Sequence, residues 1–172
     1  MTGCHPMKAQ INQDLAPITR PISSLKEDPK NARKHSKRDL ALLVDSLKAY
    51  GQQKPIVGLK DGTIIAGNGT LRAAKELGWD SIAVVQFDSA DEAKARAFAI
   101  IDNRTAELSS WDFEALAASL TELKDIDVGF SATELDRMLG NLERISVEAH
   151  SRELHIDDGN TTCPKCGFEF DV

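Results

Sequence analysis

The segment Gly67-Asn68-Gly69-Thr70 has the residue types that bind a phosphate group. Glycines let the backbone approach an anion closely, and the first amides of a following helix point at it with the positive end of the helix dipole behind them. Thr70 adds a hydroxyl donor, and Arg72 is a candidate clamp for the phosphates. The plainer interpretation is a tight turn with two glycines, and the four residues alone leave both open.

The C-terminal Cys163 and Cys166 have the spacing of a zinc knuckle, because C-x-x-C followed by glycine can turn two thiolates toward one metal. His150 and His155 precede them at spacings that would complete a four-ligand Zn²⁺ site. A free thiol pair is the alternative to a zinc site. The other sources of zinc ligands are a second subunit or the N-terminal pair Cys4 and His5.

Asp102-Asn103-Arg104 is the third group that could do chemistry. Asp102 is a candidate metal-binding or general-base carboxylate, and Asn68 is the second candidate catalytic residue. Asn103 and Arg104 are candidates for nucleotide binding. The alternative is the C-terminal turn of a helix, in which Asn103 is left-handed and Arg104 pairs with a carboxylate.

A basic stretch without acidic residues runs from residue 30 to residue 38. Lys and Arg side chains bind a nucleic-acid backbone without reading its sequence, so the stretch is a candidate nucleic-acid contact. A solvated basic loop is the plainer interpretation. The candidate contact residues are Lys30, Lys34, Lys37 and Arg38. Trp111 is interpreted as a packing anchor rather than as a platform for base stacking.

Hydrophobic periodicity predicts the elements that must position these residues. A short strand over Ile18–Leu25 precedes an amphipathic helix that Asp39 caps and Gly51 ends. Further along, the pattern predicts strands over Pro55–Leu59, Thr63–Ala66 and Ile82–Phe87, with a hairpin turn at Asp61-Gly62 between the first two. A helix is predicted from the glycine segment to Leu77. Three more helices are predicted over Ala93–Ile101, over Trp111–Leu123 with Ser110 as cap, and from Ser131 to Ile145.

Composition places the chain among globular proteins, with 172 residues, 41% hydrophobic and 28% charged. The net charge of −6 argues against a surface that binds nucleic acid all over. It is unevenly distributed, since residues 1–50 carry 9 basic and 5 acidic groups and residues 102–172 carry 6 and 16. We therefore expect an anionic partner on one side only. Neither a signal peptide nor an apolar run of about 20 residues occurs, which favours a cytoplasmic protein.

Six segments resemble, in order, the ParB/sulfiredoxin-like domain, also called ParB N-terminal-like, in the variety found in bacteriophages and beside DNA methyltransferases. The resemblance extends over about residues 17–125, and residues 129–139 match the end of that variety. The segments are Asn31-x-Arg33, Ser46 to Gly51, Gln53-x-Pro55-Ile56-Val57, IIAGNGTLRAAKELGW over residues 64–79, IIDNRTAEL over residues 100–108, and Trp111-Asp112.

The resemblance implies an α+β fold, with a small mixed sheet, flanking helices and a helical C-terminal extension before the zinc knuckle. We predict a flexible tail over residues 1–16 and the ParB/sulfiredoxin-like domain over residues 17–125. A helical extension over residues 126–147 and a linker with the knuckle over residues 148–172 complete the predicted organisation.

The resemblance also implies a nucleotide, ATP or CTP with Mg²⁺, whose phosphates the glycine segment and Arg72 would hold. Asn31 and Arg33 would lie across the same pocket. Partition proteins carry Gly-Glu-Arg-Arg at the glycine segment, so this chain lacks that glutamate and both arginines. Sulfiredoxins carry a reactive cysteine there, and the absence of Cys between residues 5 and 162 excludes sulfinic acid repair.

The leading functional hypothesis is nucleotide-dependent action on DNA or its building blocks, as a switch or by phosphoryl transfer (kinase or NTPase). The setting would be phage DNA modification or segregation, in the cytoplasm of a host cell. One alternative is a metal-dependent DNA nuclease. Another is a non-catalytic DNA-binding adaptor for a separate methyltransferase. The expected partners are a nucleotide, DNA, a separate DNA-modifying enzyme and a second copy of the chain.

Overall fold

A computed structural model describes residues 8–89, 91–123 and 126–138, and the backbone of residues 161–162 and 169–170. The chain divides into two compact units, Met1–Ser110 and Trp111–Val172. The first unit contains the glycine segment, the basic stretch and Asp102. The second contains Trp111.

The first unit is built on a five-stranded mixed sheet. Its strands are β1 (Thr19–Pro21), β2 (Lys26–Glu27), β3 (Ile56–Gly58), β4 (Thr63–Ala66) and β5 (Ser81–Gln86). Across the sheet their order is β1-β5-β3-β4-β2. β1 is antiparallel to β5 and β3 is antiparallel to β4, whereas β3 with β5 and β2 with β4 are parallel pairs.

The predicted hairpin and the helix after it are confirmed. Gly62, with φ +84°, makes the turn between β3 and β4, and helix α2 (Asn68–Glu76) begins two residues after β4 ends. Gly78, with φ +70°, follows the end of α2. Ile64 and Leu71 are completely buried, and they join β4 and α2 to one hydrophobic core.

Helix α1 (Lys37–Tyr50) packs against α2 and begins earlier than predicted. Ser36, not Asp39, is its N-cap, since the Ser36 hydroxyl oxygen accepts from the Asp39 amide at 3.1 Å. Asp39 lies in the first turn, where its negative charge interacts favourably with the positive end of the helix dipole. Gly51 ends the helix with φ +67°, as predicted.

Helix α3 (Glu92–Leu108) begins at the Asp91 cap and continues to Leu108, seven residues beyond the predicted end. Residues 102–104 therefore lie inside a helix. The predicted alternative with a left-handed Asn103 is wrong, since no described residue other than glycine has positive φ. The Asn103 amide instead donates to the Ala99 carbonyl at 2.8 Å.

The N-terminal end of the described chain joins the sheet through Gln52. Ile11 bridges to Gln52, and a 3₁₀ helix follows over Gln13–Ile18, within and beyond the predicted tail. The side chain of Gln52 is 1% exposed. It accepts from the Ala83 amide at 2.7 Å and donates to the Ala83 carbonyl at 2.9 Å. The Gln52 side chain therefore makes the two hydrogen bonds to β5 that the backbone of a neighbouring strand would otherwise make.

The second unit contains helix α4 (Phe113–Glu122) and helix α5 (residues 132–138). Asp112, rather than the predicted Ser110, caps α4, and the predicted capping box at Ser131 is confirmed by a 2.6 Å bond to Glu134. An apolar cavity of about 210 Å³ lies between the two helices. Near the C-terminus, β6 (Thr161–Thr162) pairs antiparallel with β7 (Glu169–Phe170).

Candidate functional site

A cavity of about 270 Å³ lies at the N-terminal end of α2, and we call it the α2 cavity. One wall is the junction of β4 and α2. The facing wall consists of the basic stretch before α1, the first turn of α1 and the middle of α3. Predicted site residues from three separate regions of the sequence line it: Asn31, Arg33, Gly67, Asn68, Gly69, Thr70, Asp102 and Asn103.

The amides of Asn68, Gly69 and Thr70 come before the first internal hydrogen bond of α2, which Leu71 donates to the Gly67 carbonyl at 3.0 Å. Such amides have no partner within the helix and attract anions. The predicted phosphate segment is therefore the first turn of a helix, with only Gly67 preceding it.

The two glycines of the segment are required for different reasons. Gly67 has φ +89°, and a Cβ there would lie 2.4 Å from Cγ2 of Ile56. At Gly69, a Cβ would lie 2.6 Å from Cε1 of His35 and 2.8 Å from Cδ1 of Leu43. Gly67 thus permits the turn into the core, and Gly69 leaves room for the ring of a histidine.

Asn68 is 4% exposed, and each end of its amide has a backbone partner. Its Nδ2 donates to the Ile64 carbonyl at 2.9 Å, and its Oδ1 accepts from the Asp28 amide at 3.2 Å. These bonds attach the chain before the basic stretch to the start of α2.

Arg33 faces the cavity from the basic stretch, and Glu107 of α3 holds its guanidinium. The second carboxylate oxygen of Glu107 lies 3.3 Å from Nη1 of Arg104. Asn31 accepts from the Arg33 amide and donates to the Arg33 carbonyl, both at 3.1 Å, and so fixes the local turn. One carboxylate therefore connects two of the arginines expected to bind phosphate.

Arg72 does not line the α2 cavity. Its Nε and Nη2 both lie 2.6 Å from Oε2 of Glu27 on β2, and Lys75 lies 3.9 Å from the other oxygen of that carboxylate. The arginine predicted as the phosphate clamp is thus paired with a carboxylate outside the cavity.

His35 and Asp39 line the cavity and were missed in the sequence analysis. Nδ1 of His35 lies 2.6 Å from Oδ2 of Asp39, and the histidine side chain is 16% exposed. The available signal was the spacing of four residues across a helix start, which brings two side chains together.

A second cavity of about 380 Å³, which we call the α3 cavity, adjoins the first, and Asn31, Arg33 and Asn103 line both. Its floor includes Ala99 and Ile100 of α3. Asp102, which is exposed, faces only the α2 cavity.

The candidate nucleic-acid contacts are exposed on the segment that leads into α1. Lys30, Lys34 and Lys37 have no ion pair with any residue that the structure describes. Arg38 is exposed beside them at the start of α1. They form a cationic surface outside the α2 cavity.

Asp61, in the turn between β3 and β4, has a perturbed carboxyl group. Hydrogen bonds from Lys26, and then from the amide and hydroxyl of Thr63, lower the pKa of the Asp61 carboxyl to about 2. Nζ of Lys26 lies 2.8 Å from Oδ2 of Asp61, and both side chains are more than half exposed.

The predicted zinc ligands Cys163, Cys166, His155 and His150 lie outside the described residues, as do Cys4 and His5. Within the described ranges, no three His, Cys, Asp or Glu side chains are grouped to hold a metal. Trp111 is 60% exposed and contacts Phe130 edge to face, with ring centres 5.9 Å apart.

A model of the ParB N-terminal domain family matches residues 7–104. The chain therefore belongs to the ParB N-terminal domain family, as the motifs predicted. It is 37% identical over 87 residues to the ParB-like nuclease domain-containing protein YnaK of Escherichia coli (strain K12), and these residues are 50% of this chain and 100% of that protein.

Among solved structures, the chain is similar to the C-terminally truncated chromosome-partitioning protein ParB from Caulobacter crescentus complexed with CTP-gamma-S. The TM-score is 0.59 at 22% identity, over 80% of this chain and 86% of that chain. The same protein complexed to the centromeric parS site aligns with a TM-score of 0.42 at 22% identity, over 71% and 64% of the two chains. The first similarity confirms the predicted α+β fold.

The described helices include none with the length and apolar character needed to span a membrane.

Proposed function

We propose that this chain binds a nucleoside triphosphate in the α2 cavity and acts on DNA as a nucleotide-dependent switch. The observation that carries the proposal is the arrangement of donors around one cavity. Asn68, Gly69 and Thr70, whose amides have no partner within α2, line it at the start of that helix, and Arg33 lines it on the opposite wall. Backbone amides and a guanidinium together offset the charge of a triphosphate.

CTP is the first nucleotide to test, because the structural neighbour from Caulobacter crescentus is complexed with CTP-gamma-S. ATP stays the second candidate. Both carry the same triphosphate, so the α2 cavity by itself does not distinguish them.

Asp102 is a suitable ligand for a divalent cation bound together with the triphosphate. Mg²⁺ prefers oxygen ligands and commonly binds through one or two carboxylates together with phosphate oxygens. Asp102 supplies one carboxylate on the α3 side of the cavity, and Asn103 supplies an amide beside it. Bound Mg²⁺ would neutralise part of the triphosphate charge.

Binding requires a rearrangement of arginine partners. Glu107 holds Arg33, so a phosphate must take the place of that carboxylate. Arg72 would have to leave Glu27 before it could contribute. Arg104, which lines the α3 cavity, would lose its 3.3 Å contact if Glu107 moved away.

DNA would bind to the exposed lysines of the basic stretch. Lys30, Lys34 and Lys37 lie outside the cavity, so one segment would contact both the nucleotide, through Arg33, and the DNA backbone. A nucleotide that rearranges this segment would therefore change the affinity of the chain for DNA. This coupling is how the proposed switch would work. Arg38 lies on the same surface.

Several finer predictions remain proposals. They are phosphoryl transfer or NTP hydrolysis, a phage or DNA-modification setting, a separate methyltransferase as partner, a homodimer, and the zinc knuckle. In this proposal Asn68 positions the start of α2, because both ends of its amide bind backbone groups.

The test is a calorimetric titration of the full chain with CTP, ATP and GTP, with and without MgCl₂. We expect one nucleotide to bind, and we expect Arg33→Ala to weaken its affinity at least about tenfold, as for other charge-assisted contacts. Arg20→Ala, on β1 away from the cavity, is the matched control and should bind normally. No binding by the unmodified chain, or equal losses in both variants, would contradict the proposal.

A metal-dependent nuclease is the second candidate, favoured by the name of the Escherichia coli relative and by the Asp102 carboxylate on the cavity wall. Nicking of a supercoiled plasmid in MgCl₂ tests it. Cleavage that Asp102→Ala abolishes supports the nuclease. Cleavage that survives this substitution argues for a contaminant.

A further inference from the structure

His35 lines the α2 cavity, and its ring packs against Gly69 at the start of α2. Its Nδ1 is occupied, 2.6 Å from Oδ2 of Asp39. A Cβ on Gly69 would lie 2.9 Å from its Nε2, so the ring packs against the first turn of α2. The imidazole therefore lies beside the amides proposed to receive phosphate.

The Asp39 contact determines which nitrogen carries the proton. A carboxylate only accepts hydrogen bonds, so Nδ1 of a neutral His35 is the donor and Nε2 keeps its lone pair. Nε2 has no hydrogen bond with any residue that the structure describes. A histidine oriented by a carboxylate, with Nε2 free, is the arrangement of a general base in hydrolytic enzymes.

Other cavity groups fit the role of base less well. The Arg33 guanidinium stays protonated. The Asp102 carboxylate is exposed on α3, and none of the described side chains orients it. His35 is the group that a second residue positions, and positioning is required for efficient proton transfer.

We propose that His35 and Asp39 form a catalytic dyad that hydrolyses the nucleoside triphosphate bound in the α2 cavity. The inference rests on the proposed function. His35 Nε2 takes a proton from water as the water oxygen forms a bond to the γ-phosphorus. The bond from this phosphorus to the β–γ bridging oxygen breaks, and its electron pair stays on the departing nucleoside diphosphate. Inorganic phosphate is released, and the imidazolium, which Asp39 stabilises, returns its proton to solvent.

The first test replaces the base and keeps its contact with Asp39. In His35→Asn, the side-chain amide retains a donor near the position of Nδ1 and lacks Nε2. We expect CTP hydrolysis in MgCl₂, measured as released phosphate with and without duplex DNA, to fall about 100-fold or more, the usual contribution of a general base. CTP affinity from calorimetry should stay within about threefold of the unmodified chain, because binding relies on other groups.

Two further variants separate chemistry from folding. His35→Gln places an amide near Nε2 and should be as inactive as His35→Asn, with thermal unfolding of both variants recorded beside the assay. In His35→Ala, added imidazole should restore part of the hydrolysis, which a purely structural role of the ring would not permit.

Asp39 acts through His35 and is a positioning residue. Asp39→Asn should lower kcat at least about tenfold with KM nearly unchanged, because a neutral amide in place of the carboxylate no longer stabilises the imidazolium. Asp45→Asn is the matched control on the same helix, where Asp45 pairs with Lys48 at 3.5 Å on the exposed face. Its hydrolysis should stay within about twofold of the unmodified chain, as for surface substitutions generally.

The outcomes separate this inference from the proposed function. Binding of CTP without hydrolysis by the unmodified chain overturns the dyad and leaves nucleotide binding intact. Undiminished hydrolysis in both His35→Asn and His35→Gln does the same. Absence of binding in the titration overturns both proposals, and the titration reveals that result before any rate is measured.

Discussion

The two walls of the α2 cavity are held by different forces. The junction of β4 and α2 is mostly buried, since the residues on either side of Gly67 are buried and the amide of Asn68 is bonded to backbone groups at both ends. Gly67 is itself exposed, and Ile56 occupies the space that a Cβ there would need. The facing wall is only partly buried and is held by ion pairs, chiefly that of Arg33 with Glu107, whose side chains are 43% and 47% exposed. Burial makes the first wall rigid, and solvent screening makes the second easy to rearrange.

This difference separates stability from ligand response. Substitutions in the buried wall should unfold the protein, because they create clashes or unpaired polar groups. Substitutions in the exposed wall should change anion affinity and leave the fold nearly intact. The predictions below test that division, beginning with the largest expected effect.

Gly67→Ala should lower the free energy of unfolding by about 2–5 kcal/mol, since it places a Cβ on a left-handed residue and adds a methyl group that clashes with the buried Ile56. The added Cβ would lie 2.4 Å from Ile56. Urea unfolding measures the loss. Gly69→Ala is the matched control, because Gly69 has no left-handed φ and an added Cβ would meet only the far ends of the His35 and Leu43 side chains. We expect Gly69→Ala to lose less than half as much stability, and equal losses would contradict the distinction between the two glycines.

Gln52→Ala should destabilise the buried region by a similar amount. It leaves the amide and carbonyl of Ala83 without their partners, at about 1–3 kcal/mol for each buried group left unpaired. The neighbouring Gln53 makes only exposed hydrogen bonds. Urea unfolding should therefore show a change within about 0.5 kcal/mol for Gln53→Ala. Similar losses of stability in the two variants would contradict a stabilising role for the buried hydrogen bonds of Gln52.

Glu107→Gln tests the exposed wall. It frees Arg33 from its carboxylate, so CTP affinity should rise severalfold as the competent arrangement becomes more populated. Stability should change by less than about 1 kcal/mol, because the ion pairs are exposed. Calorimetry and urea unfolding measure the two effects. Glu92→Gln, which removes a 3.9 Å pair with Arg96 on the same helix, should leave affinity unchanged. A loss of affinity in Glu107→Gln would mean that this carboxylate assists binding.

The smallest effect concerns Asp61, whose pKa is lowered from 3.8 to about 2 by Lys26 and Thr63. A lowered folded-state pKa stabilises the fold above pH 3.8, and this stabilisation is lost as pH falls through about 2. The unmodified chain should therefore exceed Asp61→Asn in stability at neutral pH, and the difference should shrink in acid. Urea unfolding at several pH values measures it, with Lys26→Met as the partner control. A difference that does not vary with pH would contradict this account.

Local sequence signals predicted most of the sheet and α2. The strand over Thr63–Ala66 and the glycines at positions 62 and 67 were identified correctly, because turns and β-strands leave short-range patterns. Helix starts were less accurate, since Ser36 and Ser110 each compete with a nearby Asp for the cap. The length of α3 was underestimated, because its single buried residue, Ala95, leaves a weak amphipathic pattern.

The sequence by itself determined the family, the phosphate-binding residue types and the concentration of positive charge in the basic stretch. These depend on residue identity and short spacings. Only the tertiary structure decided which arginine faces the cavity, because Arg33 and Glu107 are 74 residues apart and Arg72 and Glu27 are 45 apart. It also placed His35 over Gly69, where the absence of a side chain leaves space for the imidazole. Such pairings depend on how strands and helices pack, and no local pattern encodes them.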